Sequence, residues 1–381
     1  MFKKMAQNIA KSTSEVIGCG VLVTDEHGMI VGCDDESRIG TFHEPSIKVM
    51  AENQPLSTTA QEAEKIAGVF PGYTLPIRLM ERVVGSVSIT GAPEEVARYG
   101  TLVQKQSEIM LREQAYLESS LLRERALRDL VENVVSCDGG KDMCDLIDLQ
   151  GRDLGFNLSH CRVGVEIVLD PRGNAAVESS FQTLLRETKA LFSNPRNVIA
   201  AQGDYRISLL FAPRSVSGML PEEQAEGLLR DLYHAAREKG MNLYCACGLD
   251  GGALPALGRS LATARKLARM APRLGAGGVF SARYYGGEII LDSLPAEDRR
   301  NFARQVLGTL PERADYGELC DTFMAWCESP FAMAETAAKL SMHRNSLQYR
   351  LKKIRSLTGK DPWNFRDAFE LWSAFVIMRF I

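Results

Sequence analysis

No run of about 18 or more apolar residues, the length a helix needs to cross a bilayer, occurs in the 381-residue chain, so no membrane span is expected. Neither sign of charge dominates. Lys and Arg number 45 against 48 Asp and Glu, a formal −3, so any surface for nucleic acid must be local. Prolines are only 15 and 45% of residues are hydrophobic, which excludes a disordered chain. Lys3 and Lys4 precede no apolar segment, so no secretory signal is expected. The nine cysteines are scattered, and the close pairs Cys245/Cys247 and Cys320/Cys327 lack zinc spacing with histidines. They read as reduced thiols of a cytoplasmic protein without a metal site. No P-loop and no G-x-S-x-G motif occurs, so no nucleotide or other cofactor is expected.

What is present reads as several domains, at about 100–200 residues each. Val16 to Thr24 is β-rich, Asp25 to Gly28 is a turn, and Met29 to Cys33 is the return strand. Pro45 to Gln54 reads as a helix, and Leu75 to Met80 with Val83 to Thr90 as a second strand pair. Gly91-Ala92-Pro93-Glu94-Glu95 opens a helix, with proline in its first turn and acids at its positive end. That helix continues to about Val135. Apolar pairs recur every seven residues at Leu102/Val103, Ile109/Met110 and Tyr116/Leu117. The period is that of a dimerising seam, which shifts phase at Leu121/Leu122; packing on its own domain is the alternative. Ser136 to Lys141 reads as a linker.

Beyond it, strands are expected at Val163 to Leu169, Val198 to Ala201, Tyr205 to Phe211 and Tyr244 to Gly248, with a turn at Asp170 to Asn174. Helices are expected at Phe181 to Phe192, Pro221 to Lys239 and Leu257 to Met270. This is a second α+β domain, and Asp292 to Gly308 begins an all-helical region running to Ile381.

Within that region, Ala334 to Leu340 is a short helix. Ser341-Met342-His343 is a turn, and Leu347 and Leu351 mark the buried face of a second helix. The spacing Ala337, Ser341, Leu347 fits a helix-turn-helix. A plain helical hairpin is the alternative, and charge argues against it. From Lys339 to Lys360 there are seven Lys and Arg and no acid, the footprint of phosphate binding. Arg344, Asn345 and Ser346 open the second helix, where it would enter a major groove, with Gln348 and Tyr349 further along. Arg344 is suited to guanine, and Asn345 or Gln348 to adenine. Lys352, Lys353 and Arg355 suit phosphate, and Arg350 lies between them. The expected partner is double-stranded DNA.

The segment Met342 to Phe375 (MHRNSLQYRLKKIRSLTGKDPWNFRDAFELWSAF) is similar to one shared by the carbohydrate diacid regulator family of bacterial transcription factors and the wider purine-catabolism-regulator group. Asp25 to Glu44, Pro71 to Leu79, Val83 to Val103 and Glu108 to Glu113 resemble the same family independently. The resemblance implies three parts. Residues 1–136 would be a sugar-diacid recognition domain, with its linking helix over about 94–135. Residues 142–288 would be a degenerate GGDEF-like domain, and 292–381 the DNA-binding domain. The implied ligand is a small hydroxy-acid such as glucarate, galactarate or glycerate. The implied action is activation of genes for its uptake and catabolism by a homo-oligomer.

An anion site wants a guanidinium, an imidazole and free backbone N–H groups. Arg38, Gly40 and His43 supply these. Thr74, Pro76 and Thr90 would contact polyol oxygens. Pro45 after His43-Glu44 and Cys33 before Asp34 depart from the family pattern, which puts the particular diacid in doubt. In the middle domain a cyclase needs a Gly-Gly turn and metal-binding acids. The equivalent hairpin, Ala201-Gln202-Gly203-Asp204-Tyr205, keeps one glycine and one acid. No catalysis is expected. Two rivals stay open: a purine-catabolism-type regulator answering an unrelated metabolite, and a nucleotide-binding enzyme with an incidental basic helix.

Overall fold

The computed structural model describes residues 2–172, 174, 176–215, 218–275, 277–329 and 331–380, with side chains from Met5 onward. Two compact units divide the chain, residues 1–123 and 124–381.

The first unit begins with a helix, α1 (Phe2–Ile17). The strand expected over Val16 to Thr24 therefore starts only at β1 (Val21–Thr24). The β-branched pair Val16 and Ile17 is overridden because Ala6, Ile9 and Ala10, at helical spacing, bury one face of α1 in the core. Gly18, at φ +68, ends the helix. Next come β2 (Ile30–Cys33), α2 (Glu44–Glu52), β3 (Leu56–Thr58), the single turn α3 (Ala60–Ala63), β4 (Gly72–Leu79), β5 (Arg82–Thr90) and the 44-residue helix α4 (Pro93–Ser136). β3 carries no sequence period and was not expected. The sheet is antiparallel in the order β2-β1-β5-β4-β3.

Alternation divides the sheet into two faces. Val21, Val23, Leu75, Ile77, Val87 and Ile89 face α1 and the Val96, Val103 and Leu111 side of α4. Gly32 permits this approach, since a Cβ there would lie 2.3 Å from the Ala6 carbonyl. Thr24, Thr74, Ser86 and Ser88 fall on the alternate positions, on the side of α2. The seam pairs on α4 split: Val103 is buried, while Leu102, Ile109, Tyr116 and Leu117 are more than half exposed.

The second unit takes up the end of α4. Leu130, Val131 and Val134 share a core with Cys137 and with Ile147 of α5 (Lys141–Asp153). The break expected at Ser136 to Lys141 is thus a corner whose two flanks pack together. Then follow β6 (Val163–Leu169), α6 (Val177–Leu191), β7 (Val198–Gln202), β8 (Arg206–Phe211), α7 (Pro221–Glu238), β9 (Leu243–Cys247), α8 (Ala256–Leu274) and β10 (Gly278–Ser281). α5 and β10 were not expected. Of the turn expected over Asp170 to Asn174, Gly173 lies outside the described residues. The sheet order is β10-β9-β6-β8-β7, antiparallel except for β9 with β10. Glu166 on β6 is buried, accepts a bond from Ser208 (2.5 Å) and faces Arg265 of α8, whose guanidinium also pairs with Glu132 of α4. Burial pushes the Glu166 carboxyl up.

The unit continues with α9 (Gly286–Ser293), α10 (Ala296–Leu307), α11 (Tyr316–Glu328), α12 (Met333–Lys339), α13 (Arg344–Thr358) and α14 (Phe365–Phe380). Their common core holds Leu307, Phe323, Trp326, Leu347, Leu351 and Phe375. Among the described residues no helix is long and apolar enough to cross a membrane.

Candidate functional site

Two sets of side chains are candidates, one in each unit. In the second unit, α12 and α13 meet at buried Ala337, and the turn between them passes through Ser341 at φ +50. That conformation explains why such turns favour glycine. The ring Nδ1 of His343 caps α13 by accepting from the Asn345 N–H at 3.2 Å. Leu347, Leu351 and Ile354 are fully buried, so Arg344, Asn345, Ser346, Gln348, Tyr349, Lys352 and Arg355 are left on the exposed side.

The basic residues are not equivalent. Arg350 donates to Glu318 (2.7 Å) and Thr322 (3.1 Å) on α11. Lys353 lies 2.5 Å from Asp315, whose carboxyl is held at about 2 by Lys353 and Arg313. Arg355 pairs with Asp361, Lys360 with Glu370, and Lys339 with Glu328. Arg350 and Lys353 therefore clamp α13 to its neighbours. Arg344 and Lys352 remain exposed, with no acidic partner among the described residues. Of the three residues expected to meet phosphate, Lys353 is drawn to Asp315 and Arg355 to Asp361, while Lys352 is open.

In the first unit, Arg38 ends a 3₁₀ turn (Glu36–Arg38) and is half-buried. It donates to the Gly68 carbonyl at 2.8 Å and lies 4.8 Å from the Phe70 ring centre. Gly40, at φ +85, is exposed in the loop that follows. His43 is buried at the N-terminus of α2, and Pro45 fits the first turn, where its missing N–H is no loss. Thr74 is buried and bonded to Ser88 at 2.9 Å, and the Pro76 carbonyl accepts from Gln104 at 2.6 Å. Thr90 lines a separate cleft of about 750 Å³ with Ser57, Thr59 and Pro71. Arg38 thus reaches toward Gly68 and Phe70, whereas His43, Thr74 and Pro76 lie inside the fold, and Thr90 stands at the end of β5.

Sequence reasoning missed Thr24, Ser46 and Ser86. Thr24 and Ser86 hydroxyls bond at 2.9 Å, Ser86 donates to Ser46 at 2.6 Å, and Ser46 lies 2.7 Å from His43 Nδ1. Donation running from Thr24 through Ser86 and Ser46 to His43 satisfies every group, and it requires a neutral imidazole as the last acceptor. Burial, with a smaller contribution from the Arg38 charge, holds His43 at about 4. The signal was the alternation Ser86-Val87-Ser88-Ile89-Thr90, a hydroxyl at every second position.

A helix-turn-helix with an open basic face, joined in one chain to an α+β unit with buried polar groups, defines a DNA-binding transcriptional regulator. The sugar diacid recognition model matches residues 1–134, and the PucR C-terminal helix-turn-helix model matches residues 319–377. The carbohydrate diacid regulator of Escherichia coli (strain K12) is 30% identical over 97% of this chain and 96% of its own length. The protein YsfB of Bacillus subtilis (strain 168) is 24% identical over 93% and 92%. The purine catabolism regulatory protein of the same strain is 36% identical over 19% of this chain and 14% of its own length. The chain belongs to the carbohydrate diacid regulator family.

Two outcomes are expected. Arg344→Ala should cost about 1–3 kcal/mol on a cognate site and less on random DNA. Lys352→Ala should weaken both and lower the salt slope by about one; equal losses from both variants on both DNAs would rule out this division. For His43, with its folded pKa depressed to about 4 and its unfolded value near about 6.5, the unfolded chain binds the extra proton between those limits. Stability should therefore fall as pH drops through that window and level off below it. Melting curves of His43→Gln should show a shallower fall over the same range.

Proposed function

We propose that the chain is a cytoplasmic, ligand-responsive regulator that activates genes for uptake and catabolism of sugar diacids or related hydroxy-acids such as glucarate, galactarate or glycerate. Its principal support is the presence, in one chain, of a match to sugar diacid recognition and a match to the PucR-type helix-turn-helix, together with 30% identity to the carbohydrate diacid regulator over 97% of the chain. The ligand carboxylate is assigned to Arg38, with Gly40 allowing close backbone approach, and His43 held neutral as a hydrogen-bonding group. Thr74, Pro76 and Thr90 are assigned to the ligand's remaining oxygens. Thr74 donates to Ser88, so it accepts from the ligand as it stands and donates to it only by exchanging that bond. Binding favours one of two conformations, and that difference in affinity drives the response.

Residues 142–288 serve as a GGDEF-like domain without catalysis. The strand order β10-β9-β6-β8-β7 supports this reading, as does a β7–β8 turn that retains Gly203 and Asp204 alone. Arg344, Asn345, Ser346, Gln348 and Tyr349 face base edges. Lys352 and Arg355 face phosphate, while Arg350 and Lys353 hold α13 in place.

Two copies place two recognition helices on an inverted repeat. The exposed, seven-spaced Leu102, Ile109 and Tyr116, with Leu117 beside them, form the seam between copies. Ile109→Asp with Leu117→Asp should weaken self-association and operator affinity together. Both positions are already more than half exposed, so the fold should survive. A fully dimeric double variant would refute the seam.

The ligand is tested by melting the protein with glucarate, galactarate, glycerate, tartrate, allantoin and urate. A ligand at a hundred times its Kd stabilises the native state by about 2.7 kcal/mol. A rise with one hydroxy-acid that is lost in Arg38→Ala is the expected result. A rise with allantoin or urate alone would transfer the signal to the purine-catabolism class.

A further inference from the structure

All nine cysteines are thiols, and two of them stand apart from the rest. Cys137, in the corner after α4, and Cys144, in the first turn of α5, bring their sulfurs to 3.3 Å. No atom fits between sulfurs at that distance, and a disulfide needs a further approach to about 2.0 Å. The connection that would absorb this movement is short and permissive. Gly139 sits at φ +99, and the Gly140 N–H is held by Asp138 at 3.0 Å. Cys137 is buried beside Val134 and Ile147, while Cys144 is partly exposed. Cys161, Cys247 and Cys327 are pushed up to about 12, chiefly by burial. The Cys144 thiol is also raised, first by its bond to Cys137 and then by partial burial.

We propose that Cys137 and Cys144 form a reversible intrachain disulfide, a redox modification site at the α4–α5 corner. The oxidant is a low-molecular-weight disulfide. The Cys144 thiolate attacks one sulfur of oxidised glutathione, forming a mixed disulfide and releasing one glutathione thiolate, which takes up the proton Cys144 has lost. The Cys137 thiolate then attacks Cys144 Sγ and expels the second glutathione, which takes the Cys137 proton. Two protein thiols are oxidised and one glutathione disulfide is reduced to two thiols. The new bond closes a ring from the corner residue after α4 to the first turn of α5. It staples the end of α4 to α5 inside the core they share. Small dithiols or a reducing glutathione pool reverse the step. The approach of two sulfurs is what makes the second step fast, since the resolving thiol is already in place.

The test is a titration of the full chain in glutathione buffers of rising oxidised fraction, followed by unfolding, alkylation with N-ethylmaleimide and intact mass. The expected product has lost two hydrogen atoms, takes seven rather than nine maleimides, maps to Cys137–Cys144 and reverts with dithiothreitol. Its melting temperature should exceed that of the reduced chain. In Cys137→Ala the expected product is glutathione retained on Cys144, and in Cys144→Ser no disulfide forms. Cys144 is partly exposed, so Cys144→Ser keeps the fold and serves as the control if Cys137→Ala melts early. Nine maleimides at every ratio would overturn the proposal. So would a mixed disulfide that persists on wild-type Cys144, a bond between other cysteines, or a bond between chains.

Discussion

Helix α4 supplies side chains to two cores. Val96, Val103 and Leu111 cover the apolar face of the first sheet, and Leu130, Val131 and Val134 enter the core under β7 and β8. Burial of a side chain of this size is worth about 1.5–3 kcal/mol, so each end is held by its own apolar contacts. The Glu132–Arg265–Glu166 run adds a charged anchor at the second end. A buried carboxylate is costly to leave unpaired, which ties the position of α4 to that of β6 and α8.

The same division of labour appears at the recognition helix. Leu347, Leu351 and Ile354 seat it, and Arg350 and Lys353 tie it to α11. What remains outward is a polar surface from Arg344 to Lys352 on a seat that cannot rotate without exposing three apolar side chains. Pre-positioning of this kind is what a base-reading helix requires, because hydrogen bonds to base edges are directional.

Much of this was legible in the chain. The strand pairs around Val87 and Ile89, the start of α4 at Pro93 and the turn at Ser341 follow from period and turn chemistry. The hydroxyl face was half legible. Ser86 and Ser88 alternate with valine and isoleucine, yet Thr24 and Ser46 come from distant segments, and only the β1–β5 register and the packing of α2 bring them together. α1 was hidden by the β-branched pair at its end, and β3 by its shortness. His43 shows a further limit: its partner Ser46 lies three residues away, but its burial is set by elements the local sequence does not contain.

The sequence by itself determined most of the longer elements, the alternation that gives the first sheet an apolar and a hydroxyl face, and the helix-turn-helix with its basic surround. These depend on local periods and on backbone preferences at single residues. Tertiary structure decided which charges are available. The window from Lys339 to Lys360 contains no acid, but Glu318 and Glu328 of α11, Asp315 at its cap and Glu370 of α14 neutralise much of it. Electrostatic pairing acts through space over a few ångströms, so the difference between Lys352 and Lys353, adjacent in the chain, exists only once α13 has been packed against α11.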